Sequence, residues 1–99
     1  MFRHVAMFRW TVEASAEAKA AVASGLAQLP ELIETVRGYH FGPDAGLGEG
    51  NWDFVVVADF DDADGYVVYR DHAAHQAVIA QRIRPLIADR AAVQFSAAD

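Results

Sequence analysis

The sequence predicts an α+β domain of order β-α-β-β-α-β, and three observations carry that prediction. Apolar residues alternate along residues 2–10 and 52–60, as strands require. Two further stretches repeat their apolar residues at helical spacing, and clusters rich in Gly and Asp punctuate the chain between them. At 99 residues the chain is expected to be one domain, 1–99, since single cores usually hold roughly 100–200 residues.

The opening segment FRHVAMFRW (2–10) sends His4, Ala6, Phe8 and Trp10 to one face and Arg3, Val5, Met7 and Arg9 to the other, which predicts a first strand. Ser15 suits a helix cap, and Ala18, Val22, Leu26 and Leu29 repeat on one side of an amphipathic helix expected to end near Pro30. VRGYHFG (36–42) predicts a second strand, and GPDAGLGEGN a flexible hairpin loop. WDFVVVADF (52–60) predicts a third strand, apolar on both faces at its centre. Asp61, Asp62 and Asp64 suit a helix start, so a short helix is expected over 63–70, with Asp71 capping a second one to about Ala88, weakened near Pro85. RAAVQFS (90–96) completes the pattern as a last strand. This order is the split βαβ, or ferredoxin-like, arrangement: a four-stranded antiparallel sheet with helices on one face.

Composition narrows the function. With a net charge of −6 the chain lacks the excess of Lys and Arg that displaces counterions from a phosphate backbone, so no nucleic-acid partner is expected. The longest apolar run, near Val55 to Ala58, falls far short of the roughly 20 residues a bilayer needs, and no signal segment precedes the first strand. No membrane association and a cytoplasmic location are therefore expected. With no cysteine, the chain has neither a thiolate nucleophile nor a disulfide framework.

Two helices hide only one face of such a sheet, yet Val55 and Val57 alternate with Val56 and Ala58, leaving aliphatic surface on both. A second copy packed sheet to sheet buries the same patch twice, which predicts a homodimer through the sheet face.

YRDHAAHQ (69–76) holds the chemistry. The inward side of the last helix, set by Ile79, Ile83 and Leu86, extends back through His75, His72 and Val68, with Tyr69 on the same flank; Arg70, Gln81 and Arg84 fall on the wet side. A polar side chain facing the core needs a partner, at roughly 1–3 kcal/mol if it finds none. One reading has the histidines bonding backbone carbonyls; the other has them converge on a small-molecule pocket. Near a helix start the macrodipole would push His75 below about 6.5, leaving a neutral base, while Tyr69 could donate a hydrogen bond to a carbonyl or enolate oxygen.

FRHVAMFRW, YHFG and YRDHAAHQ together resemble the stress-responsive A/B barrel (Dabb) proteins, small dimeric α+β barrels, over almost the whole chain. The family motif is usually His-Pro-Ala-His; here Ala73 replaces the proline and the histidine spacing is kept. Most members have no assigned activity. One group, the plant polyketide cyclase that makes olivetolic acid, performs an intramolecular aldol condensation without a cofactor. That resemblance implies catalytic roles for His75 and Tyr69, a pocket lined by His4, Ala6, Phe8 and His72, and a small aromatic or polyketide-like carbonyl ligand.

Other constellations carry less. His4, His40, His72 and His75 include good zinc ligands, but no three visibly converge, so no metal is expected. Gly46, Gly48 and Gly50 precede no Lys-Ser/Thr and make no phosphate cradle, and Ser15, Ser24 and Ser96 lie in no nucleophile elbow. Trp10, Trp52 and Phe60 read as core or interface residues. Two alternatives to a cyclase remain: a cofactor-independent monooxygenase, by fold analogy, and a non-enzymatic stress-related binding or assembly protein.

Overall fold

Alternation along the first segment becomes an inward and an outward row. The computed structural model, which describes residues 1–98, places His4, Ala6 and Phe8 in the core and leaves Arg3, Val5, Met7 and Arg9 half-buried on the other face of β1 (Phe2–Trp10). The remaining strands are β2 (Gly38–Pro43), β3 (Phe54–Phe60) and β4 (Ile87–Ser96), giving an antiparallel sheet of order β2-β3-β1-β4. Strand β3 begins later than predicted because Asp53 is held in the loop, its carboxylate accepting from the Trp10 backbone at 2.8 Å. The glycine-bearing loop is tied down: the Arg9 guanidinium reaches the Gly50 and Asn51 carbonyls and lies 4.4 Å from the Trp52 ring centroid.

The first helix, α1 (Ala16–Leu32), starts at Ser15, whose hydroxyl accepts from the Ala18 backbone at 3.1 Å. It runs through Pro30 instead of stopping there. A proline late in a helix removes only one donor, and the Ile33 backbone still donates to the Leu29 carbonyl at 2.9 Å while both side chains are buried. Val22, Leu26, Leu29 and Ile33 seat this helix on Phe8, Phe54, Val56 and Phe60 of the sheet as one cluster.

The second half of the helical layer departs from expectation. Asp62, not the aspartates around it, caps α2 (Ala63–Asp71) by accepting from the Gly65 backbone at 2.9 Å. The chain then breaks at His72, which is extended (φ −63, ψ 136), before α3 (Ala73–Val78). A π turn (Ile79–Ile83) and a 3-10 turn (Arg84–Leu86) replace the regular helix expected up to Ala88.

The outer face of the sheet is uncovered and apolar at its centre. Val5, Val57 and Val93 share one row, Met7, Val55 and Ala91 the next, and Val93 and Phe95 remain 59% and 44% exposed. One end of this face carries a fork-shaped ion pair across the Arg3–Asp59 register: Arg3 Nε to Asp59 Oδ1 at 2.6 Å and Nη2 to Oδ2 at 3.0 Å. The hydrogen bonds from Arg3 hold the Asp59 carboxyl below its ordinary range. Among the described residues, no helix is long and apolar enough to cross a membrane.

Candidate functional site

The break at His72 makes the site. His72 closes α2 and opens α3, and its Nδ1 accepts from the Ala74 backbone at 3.0 Å; Asp71, expected to be the cap, instead pairs with Arg70 at 2.9 Å. The change of direction folds His75 back over Tyr69, with ring centroids 4.1 Å apart and planes at 32°. His75 Nδ1 lies 3.0 Å from the Arg70 carbonyl, which also accepts from Gln76 Nε2 at 2.6 Å. A carbonyl only accepts, so Nδ1 carries the proton and the neutral ring keeps its lone pair on Nε2.

Electrostatics keeps that ring neutral. Burial pushes His75 below the ordinary imidazole value, and the charges of Arg90 and His72 push the same way, against the opposing hydrogen bond to the Arg70 carbonyl. The direction is the one the helix dipole was expected to give, but burial is its main cause. Tyr69 is 1% exposed, and its hydroxyl lies 2.8 Å from that of Tyr39. Burial raises both phenols, Tyr39 to about 12 and Tyr69 further, the latter reinforced by Tyr39 itself. Both stay protonated donors at neutral pH.

Tyr69 and His75 form part of the wall of a cavity of about 300 Å³. Ala6, Phe8 and Val56 form its sheet side, Leu26 the α1 side, and Ile79, Ile83 and Ile87 its roof and end, with Gln76, Arg84 and Arg90 completing the lining. The π and 3-10 turns supply Ile79, Ile83 and Arg84 to this lining, and the inward Arg90, Ala92 and Gln94 of β4 stay exposed.

The residues expected to converge divide into two groups. Ala6, Phe8, Tyr69 and His75 share the cavity wall; His4 and His72 are absent from it. His4 is buried at 4% exposure under the Tyr66 ring, 4.9 Å away, and its Nδ1 accepts from Gln94 Nε2 at 2.8 Å. Burial takes its pKa down to about 4. The ring of His72 is occupied in capping α3, where it accepts from a backbone N–H; the backbone-carbonyl contact expected as the alternative to a pocket is made by His75 instead. Val68, placed on the inward side by extending one helical phase, is 47% exposed because that phase ends at the break. Arg84 moves from the expected wet side to the cavity wall: a π turn inserts extra residue per turn and rotates everything after it. Arg90 and Tyr39 are not among the site residues expected from the sequence; Arg90 reaches the cavity side because its register partner is Phe8. His40 is exposed opposite Val57, and among the described residues no group of three or more His, Asp or Glu is positioned to hold a metal ion.

The fold agrees with what the chain is similar to. The family model for the stress responsive A/B barrel domain matches residues 2–97. The chain belongs to this family. A dimeric ferredoxin-like protein of unknown function from Thermobifida fusca is 45% identical, with a TM-score of 0.90 over 97% of this chain and 90% of its own. A hydroxynitrile lyase from Passiflora edulis superposes with a TM-score of 0.83 at 11% identity, over 95% of this chain and 90% of its own. An antibiotic biosynthesis monooxygenase gives 0.78 at 12% identity, each chain covered in full at 100%. At such low identity the last two likenesses concern the fold alone. No curated protein matches the sequence.

Proposed function

We propose that this Dabb-family domain binds a small aromatic or polyketide-like carbonyl compound in the cavity and moves a proton on it without a cofactor, with His75 as general base and Tyr69 as hydrogen-bond donor. The observation that carries this reading is the His75 ring, fixed by the Arg70 carbonyl, kept neutral and set 4.1 Å from the Tyr69 ring on the wall of an apolar hollow. In the proposed step Nε2 takes a proton from the carbon beside a carbonyl. Tyr69 donates to the developing enolate oxygen while Tyr39 donates to the Tyr69 oxygen. The carbanion attacks a second carbonyl of the same molecule, and the imidazolium returns its proton to the new alkoxide, as an aldol cyclisation requires.

The test is proton exchange, which needs no knowledge of the natural substrate. Phenylacetone in D2O is expected to exchange its α-protons faster with the protein present, as followed by NMR. His75→Ala should remove that acceleration, a loss of about 10²-fold or more, and Tyr69→Phe a smaller part of it. Undiminished exchange in His75→Ala refutes the assignment of the base.

We further propose that two copies pair through the outer sheet face. The support is the uncovered Val5, Val57, Val93 and Phe95 surface, too large an apolar patch to leave wet without consequence, and the dimeric relative at 45% identity. Val57→Asp, at the centre of that face, should convert the dimer to a monomer in sedimentation velocity; an unchanged species places the interface elsewhere.

A further inference from the structure

The cavity wall is charged in one sense only. The chain has 14 acidic residues against 8 basic ones, yet no carboxylate lines the hollow, while Arg84 and Arg90 both do. Arg3, Arg37 and Arg70 are paired with aspartates, and Arg9 and Arg82 donate to backbone carbonyls. Arg84 and Arg90 have no side-chain partner among the described residues. They reach the cavity from different elements: Arg84 from the 3-10 turn, Arg90 from the inward row of β4 opposite Phe8. Both share that wall with Tyr69 and His75.

We infer that the cavity selects an anionic ligand: a small aromatic or polyketide-like carbonyl compound whose carboxylate sits between Arg84 and Arg90 while its apolar body lies against Phe8, Val56, Ile79 and Ile83. This rests on the proposal that the hollow binds small molecules, and it adds the substrate class. Two guanidinium groups at the open side can each form charge-assisted hydrogen bonds to a carboxylate without drawing it into the apolar interior, where an ion would be penalised. The carboxylate then fixes which end of the molecule approaches His75. Arginine side chains also suit the planar carboxylate fork better than a point charge does.

The experiment compares 4-butylbenzoate with its neutral isostere 4-butylbenzamide by isothermal titration on the full chain, at low and high salt. The benzoate is expected to bind about tenfold tighter or more at low salt, a margin that shrinks as salt rises. Arg90→Gln and Arg84→Gln should each reduce the margin between benzoate and benzamide, and an undiminished margin in both overturns the inference. Both positions are exposed, so folding is preserved. Ile79→Trp, which fills the hollow, should abolish binding of both compounds. Equal affinity for the two compounds overturns the anion selectivity and leaves the cavity reading standing. Binding of neither overturns both readings, and benzoate binding that survives Ile79→Trp locates the recognition outside the cavity and overturns the inference.

Discussion

The inner face of the sheet has two ends, built under one helical layer, and they behave oppositely. Under α2 the layer is packed with rings: Phe60 lies 5.9 Å from Tyr66 and 5.4 Å from Tyr69, and Tyr66 covers His4. Gly65 permits that close approach, because a side chain there would meet the Phe60 Cβ at 3.3 Å. Under the π and 3-10 turns, aliphatic side chains arch over a hollow instead. Strand β1 serves both ends, giving His4 to the sealed one and Ala6 and Phe8 to the open one. The contrast teaches that a histidine's chemistry is set by what covers it. His4 and His75 are both held neutral, but only His75 borders space in which a substrate fits.

Removing one apolar side chain from each end is the strongest way to break this comparison. Phe60→Ala, at 0% exposure, should lose about 3–5 kcal/mol by chemical denaturation, whereas half-buried Ile79→Ala beside the hollow should lose only about 1 kcal/mol. Equal losses would mean that the two ends are packed alike.

Acid should weaken the sealed end in a defined window. His4 is held at about 4 against an ordinary 6.5, so between those values the unfolded chain binds a proton that the folded chain refuses. Stability is then full above about pH 6.5, declines as pH falls through the window and levels off near pH 4. The decline should amount to about 2 kcal/mol, discounted for residual solvent access. His75, also depressed by burial, titrates in the same direction and adds to it. In urea midpoints measured against pH, His4→Gln should flatten most of the slope and the His4→Gln, His75→Gln double variant nearly all of it. An unaltered slope in His4→Gln would show that its burial has no energetic consequence.

Much of this was legible because strands have a period of two that nothing in β1 or β3 interrupts. The alternation groups His4, Ala6 and Phe8 on one face and Val5 and Met7 on the other, and burial makes the first of these the inner face. What could not be read was phase across interruptions. An α-helical repeat drawn from Ile83 back to Val68 crosses a break at His72, and one drawn forward to Arg84 crosses a π turn, so Val68 and Arg84 each landed on the wrong side. Nor does alternation supply register: the pairing of Arg3 with Asp59 depends on which strands are neighbours. His4 shares the face of Ala6 and Phe8, but its separation from the cavity depends on the half-buried Tyr66 ring that covers it, which no sequence pattern marks.

The smallest predicted effect sharpens the boundary between the two ends. His72 sits on that boundary, its Nδ1 satisfying the Ala74 backbone N–H that the break leaves without a helical acceptor. Replacing it with Ala should cost about 1 kcal/mol, the usual loss for a missing cap, whereas Asn, which caps equally well, should restore most of that stability. The same pair separates a structural role from a chemical one. If His72 only caps, His72→Asn keeps the α-proton exchange of the parent chain, since the cap alone keeps His75 over Tyr69. If exchange collapses in His72→Asn while stability is retained, the imidazole itself takes part, and the division of labour between His72 and His75 drawn from the cavity wall is wrong.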